Sequence, residues 1–176
     1  DVKAGIARAA PGHDGRPAVR EGERLALAAI RAARRSIYLE NQYFAAPAIG
    51  EALAARLAEP DGPEIVAVLS PHSPSYFDRM VMDSARDGLV AHLNANDPHD
   101  RFRAYAPHAR DGRATIVHAK VTVIDDRLVR IGSANLNNRS LGYDTELDVA
   151  IEAAEGPEGE ATRAAIAAPR PAPRQP

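Results

Sequence analysis

Val117–Asn135 reads VHAKVTVIDDRLVRIGSAN. Val117, Ala119, Val121 and Val123 alternate with other residues, the acidic pair Asp125-Asp126 follows, and a second apolar run ends on Gly132. A period of two marks a strand, so the stretch predicts a strand over Thr115–Ile124, a turn at Asp125-Asp126-Arg127 and a second strand over Leu128–Ile131. The alternation puts His118 and Lys120 on one face, about 7 Å apart along the chain. Only Lys3 and Lys120 are lysine among the 22 Lys and Arg residues. Arginine serves most surface roles at least as well, so a lysine kept against that bias suggests a site that wants a compact point charge.

The strand pair belongs to a regular α/β pattern. Glu21–Arg35 carries Leu25, Ala28, Ala29 and Ala32 at helical spacing. Ser36–Phe44 (SIYLENQYF) reads as a strand with a polar break at Glu40-Asn41-Gln42. Ala48–Ala58 predicts a second helix, closed by the breaker string EPDGP. Glu64–Ser70 (EIVAVLS) is apolar enough to be buried on both faces. A long helix over Tyr76–Asn94, a strand over Arg101–Ala106 and an alternating strand over Glu146–Glu152 complete the set.

Strands alternating with helices predict a layered α/β/α sandwich on a mixed, largely parallel β-sheet. Residues 1–20, rich in Gly, Pro and Arg, read as a lead-in loop with a short strand at Val2–Ala7. Residues 21–152 form the functional lobe. Residues 153–176 hold a short alanine-rich helix and a Pro/Arg tail, APRPAPRQP, expected to be disordered.

Composition narrows the function classes. A chain of 176 residues is one domain or one lobe of a larger one. The formal net charge of −2 argues against a dedicated nucleic-acid binder but leaves room for a local basic pocket. Without cysteine there is no disulfide framework and no thiolate metal site. No apolar run reaches the roughly 20 residues of a membrane span, and no signal peptide opens the chain. The expected location is the cytoplasm or the periphery of the inner membrane.

The chemistry gathers after the first strand. Gly132 allows a tight turn, and Ser133 and Asn135 bring hydrogen-bonding side chains. With His118 and Lys120 they describe a pocket for a cluster of anionic oxygens, most naturally a phosphate. Lysine is the point charge, and imidazole can act as nucleophile or general acid. Singly, each residue has an ordinary explanation: a strand histidine, a lysine guarding an edge strand, a common turn. Together they do not.

His118-x-Lys120-x4-Asp125-x6-Gly132-Ser133-x-Asn135 resembles the signature of the phospholipase D superfamily at every specified position. NLNNRS after the motif and IYLENQYF before it resemble the C-terminal half of a two-motif bacterial phospholipase D. The resemblance covers about Glu21 to Glu152. It implies one lobe of a phospholipase D-like fold and a metal-independent, cofactor-free phosphodiesterase. Two such motifs would meet at a pseudo-twofold axis. One histidine would form a phosphohistidine and the other protonate the leaving alcohol. Lys120, Ser133 and Asn135 would bind the phosphate oxygens, and a glycerophospholipid would be hydrolysed or transphosphatidylated.

The resemblance also implies a carboxylate at Glu146, 28 residues after His118, bonded to the opposite lobe's histidine. Asp125 sits in the turn and reads as a structural acceptor within its own hairpin. Arg139, with Ser140, matches a downstream pair that buttresses the GSAN turn. Asn41 and Gln42, at a strand end, either line the cleft or cap the strand. His72, in the loop Pro71–Pro74, reads as a surface residue, and His13, His92, His99 and His108 lack metal-ligand spacing.

One chain supplies one motif, because the residue two before Lys3 is Asp1. Two arrangements satisfy a paired site. The chain is the second half of a two-motif enzyme, inactive without its partner lobe, as a first residue other than methionine suggests. Alternatively, two copies complete the site, as in the superfamily's small single-motif nucleases. A non-catalytic remnant lobe is the remaining alternative. The partners expected are a phospholipid, a second motif-bearing lobe and a peripheral membrane contact, rather than nucleic acid.

Overall fold

The computed structural model describes residues 2–73, 75–76 and 79–168. Its strands are β1 (Val2–Ala10), β2 (Val19–Arg20), β3 (Ser36–Asn41), β4 (Glu64–Leu69), β5 (Phe102–Tyr105), β6 (Lys120–Ile124), β7 (Leu128–Gly132) and β8 (Glu146–Ala153). They form a single sheet in the order β2-β1-β8-β7-β6-β3-β4-β5. The helices are α1 (Glu21–Ala32), α2 (Pro47–Ala58), α3 (Ser84–Ala95), α4 (Asn138–Gly142) and α5 (Glu160–Ala167).

Local chemistry sets the helices. α1 opens on Glu21 and Glu23 and closes near Arg31, matching the charges of the helix ends. α2 starts with Pro47, whose missing N–H has no partner to lose there. It buries Ile49, Leu53 and Leu57, one per turn on one stripe. A Cβ at Gly50 would meet a terminal methyl of Leu89, where α2 packs against α3. The long helix expected over Tyr76–Asn94 is borne out in its described residues, helical at Tyr76 and from Arg79 to Ala95, with a π-helical turn at Arg79–Asp83 running into α3; Phe77 and Asp78 lie outside the described residues.

The sheet is mixed but not largely parallel. Among the described residues only β3–β4 and β4–β5 run parallel, while β1–β2, β1–β8, β3–β6, β6–β7 and β7–β8 are antiparallel. Parallel neighbours need a long crossover. α2 and α3 provide crossovers in the first half; the β6–β7 connection is only a turn, so that strand must fold back.

The short strand expected at Val2–Ala7 is present and runs on to Ala10 as β1. β1 pairs with β8 from Val2↔Ala153 to Ala9↔Glu146. Its run of small residues gave little periodic signal, and the long partner β8 supplies the pairing. The short helix expected after residue 153 is α5, whereas 169–176 of the expected tail lie outside the described residues.

Two layers cover the sheet unequally. Ile37, Leu39, Ile65, Ala67, Phe102 and Ile124 pack against Ala26, Ile30, Ile49, Leu53 and Leu93 of α1, α2 and α3. Each large side chain fully buried there stabilises the fold by about 1.5–3 kcal/mol. On the opposite face Tyr38, Val123, Val129 and Ala153 meet Ile166 of α5. Ile6, Ile131 and Leu147, of the same parity as this second set, remain half exposed or more.

Candidate active site

The end of β3 and the start of β6 meet at one ladder position, where Asn41 stands opposite Lys120. Lys120 is buried, and its Nζ donates to Gln42 Oε1 at 3.2 Å and to the His118 carbonyl oxygen at 3.0 Å. Among the described residues no carboxylate lies at ion-pairing distance from it. An ammonium has three donors, so two neutral acceptors leave it short of a partner and of countercharge. Burial pushes the Lys120 pKa below its ordinary value, and the Glu146 charge opposes that shift. Glu146 opens β8, half-buried, on the same sheet face as Lys120.

His118 lies just outside the sheet. β3 ends opposite Lys120, so no partner strand extends further, and the strand expected from Thr115 begins only at Lys120. His118 is accordingly exposed while Lys120 is buried, rather than the two sharing one environment by strand alternation. The segment is held from the other side. The buried Ser70 hydroxyl, just after β4, accepts Val117 N–H and donates to the Val117 carbonyl, both at 3.0 Å.

The GSAN turn follows β7. A side chain at Gly132 would collide with Asp148 Oδ1 and the Leu147 carbonyl, so glycine lets β7 and β8 close together here. Ser133 is exposed, and its hydroxyl accepts Leu147 N–H at 3.1 Å. Asn135 is buried, and its Oδ1 has no partner among the described residues. The Leu136 N–H donates to Asn41 Oδ1 at 3.1 Å, and the Leu136 carbonyl accepts from Ala45 and Ala46. These bonds join the ENQYF and NLNN segments. Beside them opens a cavity of about 410 Å³ lined by Tyr43, Met82, Asn135, Asn138, Arg139 and Asp144.

Two motif positions act differently from expectation. Asp125 does not serve its own hairpin. Its carboxylate accepts the N–H groups of Arg34, Arg35 and Ser36 at 2.7–2.8 Å, tying the hairpin to the α1–β3 connection. Burial alone would raise its pKa; the three backbone donors outweigh it and hold the carboxyl below the usual range. Asp125 and Asp126 both have positive φ, a conformation aspartate tolerates better than most residues. Arg139 is exposed and pairs with Asp144 at 3.0 Å, so its side chain does not buttress the turn. Asn137 does more, capping α4 by accepting Ser140 N–H at 2.8 Å.

Structure alone reveals three polar residues behind the motif: Ser70, Arg130 and Asp148. The latter two form a buried ion pair at 2.6 Å under the GSAN turn. The available signal was a charge at a core-facing position of each of two alternating strands, LVRIG and ELDVAIE. Among the described residues no group of His, Cys, Asp and Glu could hold a metal ion, and no helix is long and apolar enough to cross a membrane.

Residues 26–161 match the family described as cardiolipin synthase, PLD-like domain. A 60-residue stretch is 44% identical to phospholipase D zeta 1 of Arabidopsis thaliana, covering 31% of this chain and 6% of that protein. Among solved structures the fold resembles Nuc of Salmonella typhimurium, a phospholipase D family member (TM-score 0.63, 19% identity, 86% of this chain and 84% of that one). It also resembles phosphatidylserine synthase of Haemophilus influenzae Rd KW20 (TM-score 0.67, 14% identity, 94% of this chain and 36% of that one).

Proposed function

We propose that this chain, which belongs to the phospholipase D-like family, supplies one half-site of a phosphodiesterase acting on glycerophospholipids. The observation that carries this reading is the buried Lys120 ammonium, held by two neutral oxygens and lacking a carboxylate at ion-pairing distance among the described residues. A phosphodiester anion would provide the missing countercharge. The names of the matching family and of the phosphatidylserine synthase favour a lipid substrate, as does the net charge of −2, since nucleic-acid binding usually calls for a basic surface.

The reaction balances in two displacements. A histidine nitrogen of the second lobe attacks phosphorus, forming a P–N bond as the P–O bond to the leaving alcohol breaks. His118, exposed two residues before Lys120, gives that oxygen a proton. Water or an acceptor alcohol then attacks phosphorus, its new P–O bond replacing the P–N bond as the histidine is released, and loses its proton to His118. Lys120 and Asn135 hold the non-bridging oxygens, where charge develops. Glu146 orients the opposite histidine, Gln42 supports Lys120, Asn41 holds the chain leaving the GSAN turn, and no metal or cofactor takes part.

The completing lobe is either a second motif-bearing unit or another copy of this chain. The half-exposed Ile6, Ile131 and Leu147 on the less covered sheet face favour some such association. Solution mass measured at several concentrations, with phosphatidylcholine turnover assayed on the same samples, separates the two. Activity that tracks a dimer fraction means two copies; an inactive chain rescued by a second lobe means a two-motif enzyme. Turnover by the complete enzyme that survives His118→Ala would sink the catalytic assignment. A steep loss of substrate binding with salt would favour nucleic acid over lipid.

A further inference from the structure

Arg130 and Asp148 are fully buried between β7 and β8, and neither is used by the chemistry above. Arg130 donates to Asp148 Oδ2 through Nε at 3.0 Å and through Nη2 at 2.6 Å. The same Nη2 donates to the Ala134 carbonyl oxygen at 3.3 Å, while Asp148 Oδ1 accepts the Ala134 N–H at 3.4 Å. One ion pair therefore holds both backbone polar groups of the residue between Ser133 and Asn135. Gly132 makes this possible, since any side chain there would displace the Asp148 carboxylate.

Stability does not account for the pair. Removing two charges from water is costly, and an apolar pair of similar volume often gives an equal or more stable fold. Arg130 Nη1 is also buried without a partner among the described residues, which adds to the cost. What the pair provides, and an apolar pair would not, is a fixed orientation of the Ala134 peptide groups. We propose that Arg130 and Asp148 are positioning residues that set the GSAN turn, and through Ala134 the Asn135 side chain, for phosphate. This rests on the phosphate-site reading of Lys120 and Asn135.

The test compares the full wild-type chain with the double variant Arg130→Met/Asp148→Leu and with Arg130→Lys, which keeps the charge but not the fork. Three quantities are read: melting temperature, amide hydrogen exchange at Ala134, and binding of orthovanadate as a phosphate probe, followed by the NMR signal of the Asn135 side-chain amide. The double variant is expected to melt no lower than wild type, to exchange at Ala134 at least about 10-fold faster with Val121–Ile124 unchanged, and to bind vanadate at least about 10-fold more weakly. The Asn135 amide signal should move with vanadate in wild type and not in the double variant. Arg130→Lys should fall between the two, and it decides the question should the double variant not fold.

A folded variant without the pair that keeps Ala134 protection, or the vanadate response of Asn135, overturns the inference. A wild-type chain that binds no vanadate overturns the phosphate-site reading instead, and exchange at Ala134 then decides the clamp alone.

Discussion

Asn41 accepts the backbone N–H of Leu136 at 3.1 Å through a side chain wholly shielded from solvent. This bond joins the end of β3 to the chain leaving the GSAN turn, on either side of Lys120. Replacing the acceptor with an apolar group of similar size would strand a buried N–H. Asn41→Leu should therefore lose about 1–3 kcal/mol of stability. Urea unfolding measures it, and a loss below about 0.5 kcal/mol would show that the bond is replaceable.

Asp125 predicts a pH dependence. Its carboxyl is held below the usual carboxylate range, so between the folded and unfolded pKa values the unfolded chain binds more protons. Its stabilisation is fully present above the unfolded carboxylate value and is lost as pH falls through the folded one. Asp125→Asn should be less stable at neutral pH by about 1.5–3 kcal/mol, the range for hydrogen bonds to a charged group. The gap between wild type and variant should close as pH falls; a gap constant from pH 7 into strong acid would contradict the assignment.

Lys120 separates activity from stability. Its burial disfavours the ammonium, as the lowered pKa records. Lys120→Met removes a buried charge while keeping the stem, so the melting temperature should hold or rise. Phosphodiester turnover by the complete enzyme should fall by about 100-fold or more, the scale of losing one preorganised donor to a developing oxyanion. Both quantities can be read on the same preparation.

Gly132 tests the closeness of β7 and β8. Any side chain there meets Asp148 Oδ1 and the Leu147 carbonyl, so Gly132→Ala has to spread the two strands. A cost of about 1–3 kcal/mol is expected from overpacking alone. The damage should be local, with hydrogen-exchange protection lost around Gly132↔Asp148 and kept in β3 and β4. Uniform loss across the sheet would mean that the approach matters to the whole fold.

The strands around the motif were legible because apolar periodicity is a local property. β3, β4, β5, β7 and β8 all lie within a few residues of their expected bounds. The expectation weakened wherever the answer lay in a distant partner. The short strand expected over Val2–Ala7 runs on to Ala10 because β8 stands beside it. Thr115–Ala119 alternates well enough for a strand yet lies outside the ladder, because β3 ends at Asn41. Parallel or antiparallel order likewise depends on which connections carry a helix, a count that is hard to make before the pairing is known.

By itself the sequence determined the inventory: one motif, one lysine within it, a glycine at position 132, and no cysteine. Spacing along a chain carries these, since residue identity and local backbone preference need no partner. Only the tertiary structure decided what those residues touch. It buried Lys120 while leaving His118 exposed, turned Asp125 toward the α1–β3 connection 90 residues away, and set Arg130 and Asp148 beneath Ala134. Those contacts depend on which strands lie side by side, and side-chain hydrogen bonds between distant residues leave no periodic trace in the chain that makes them.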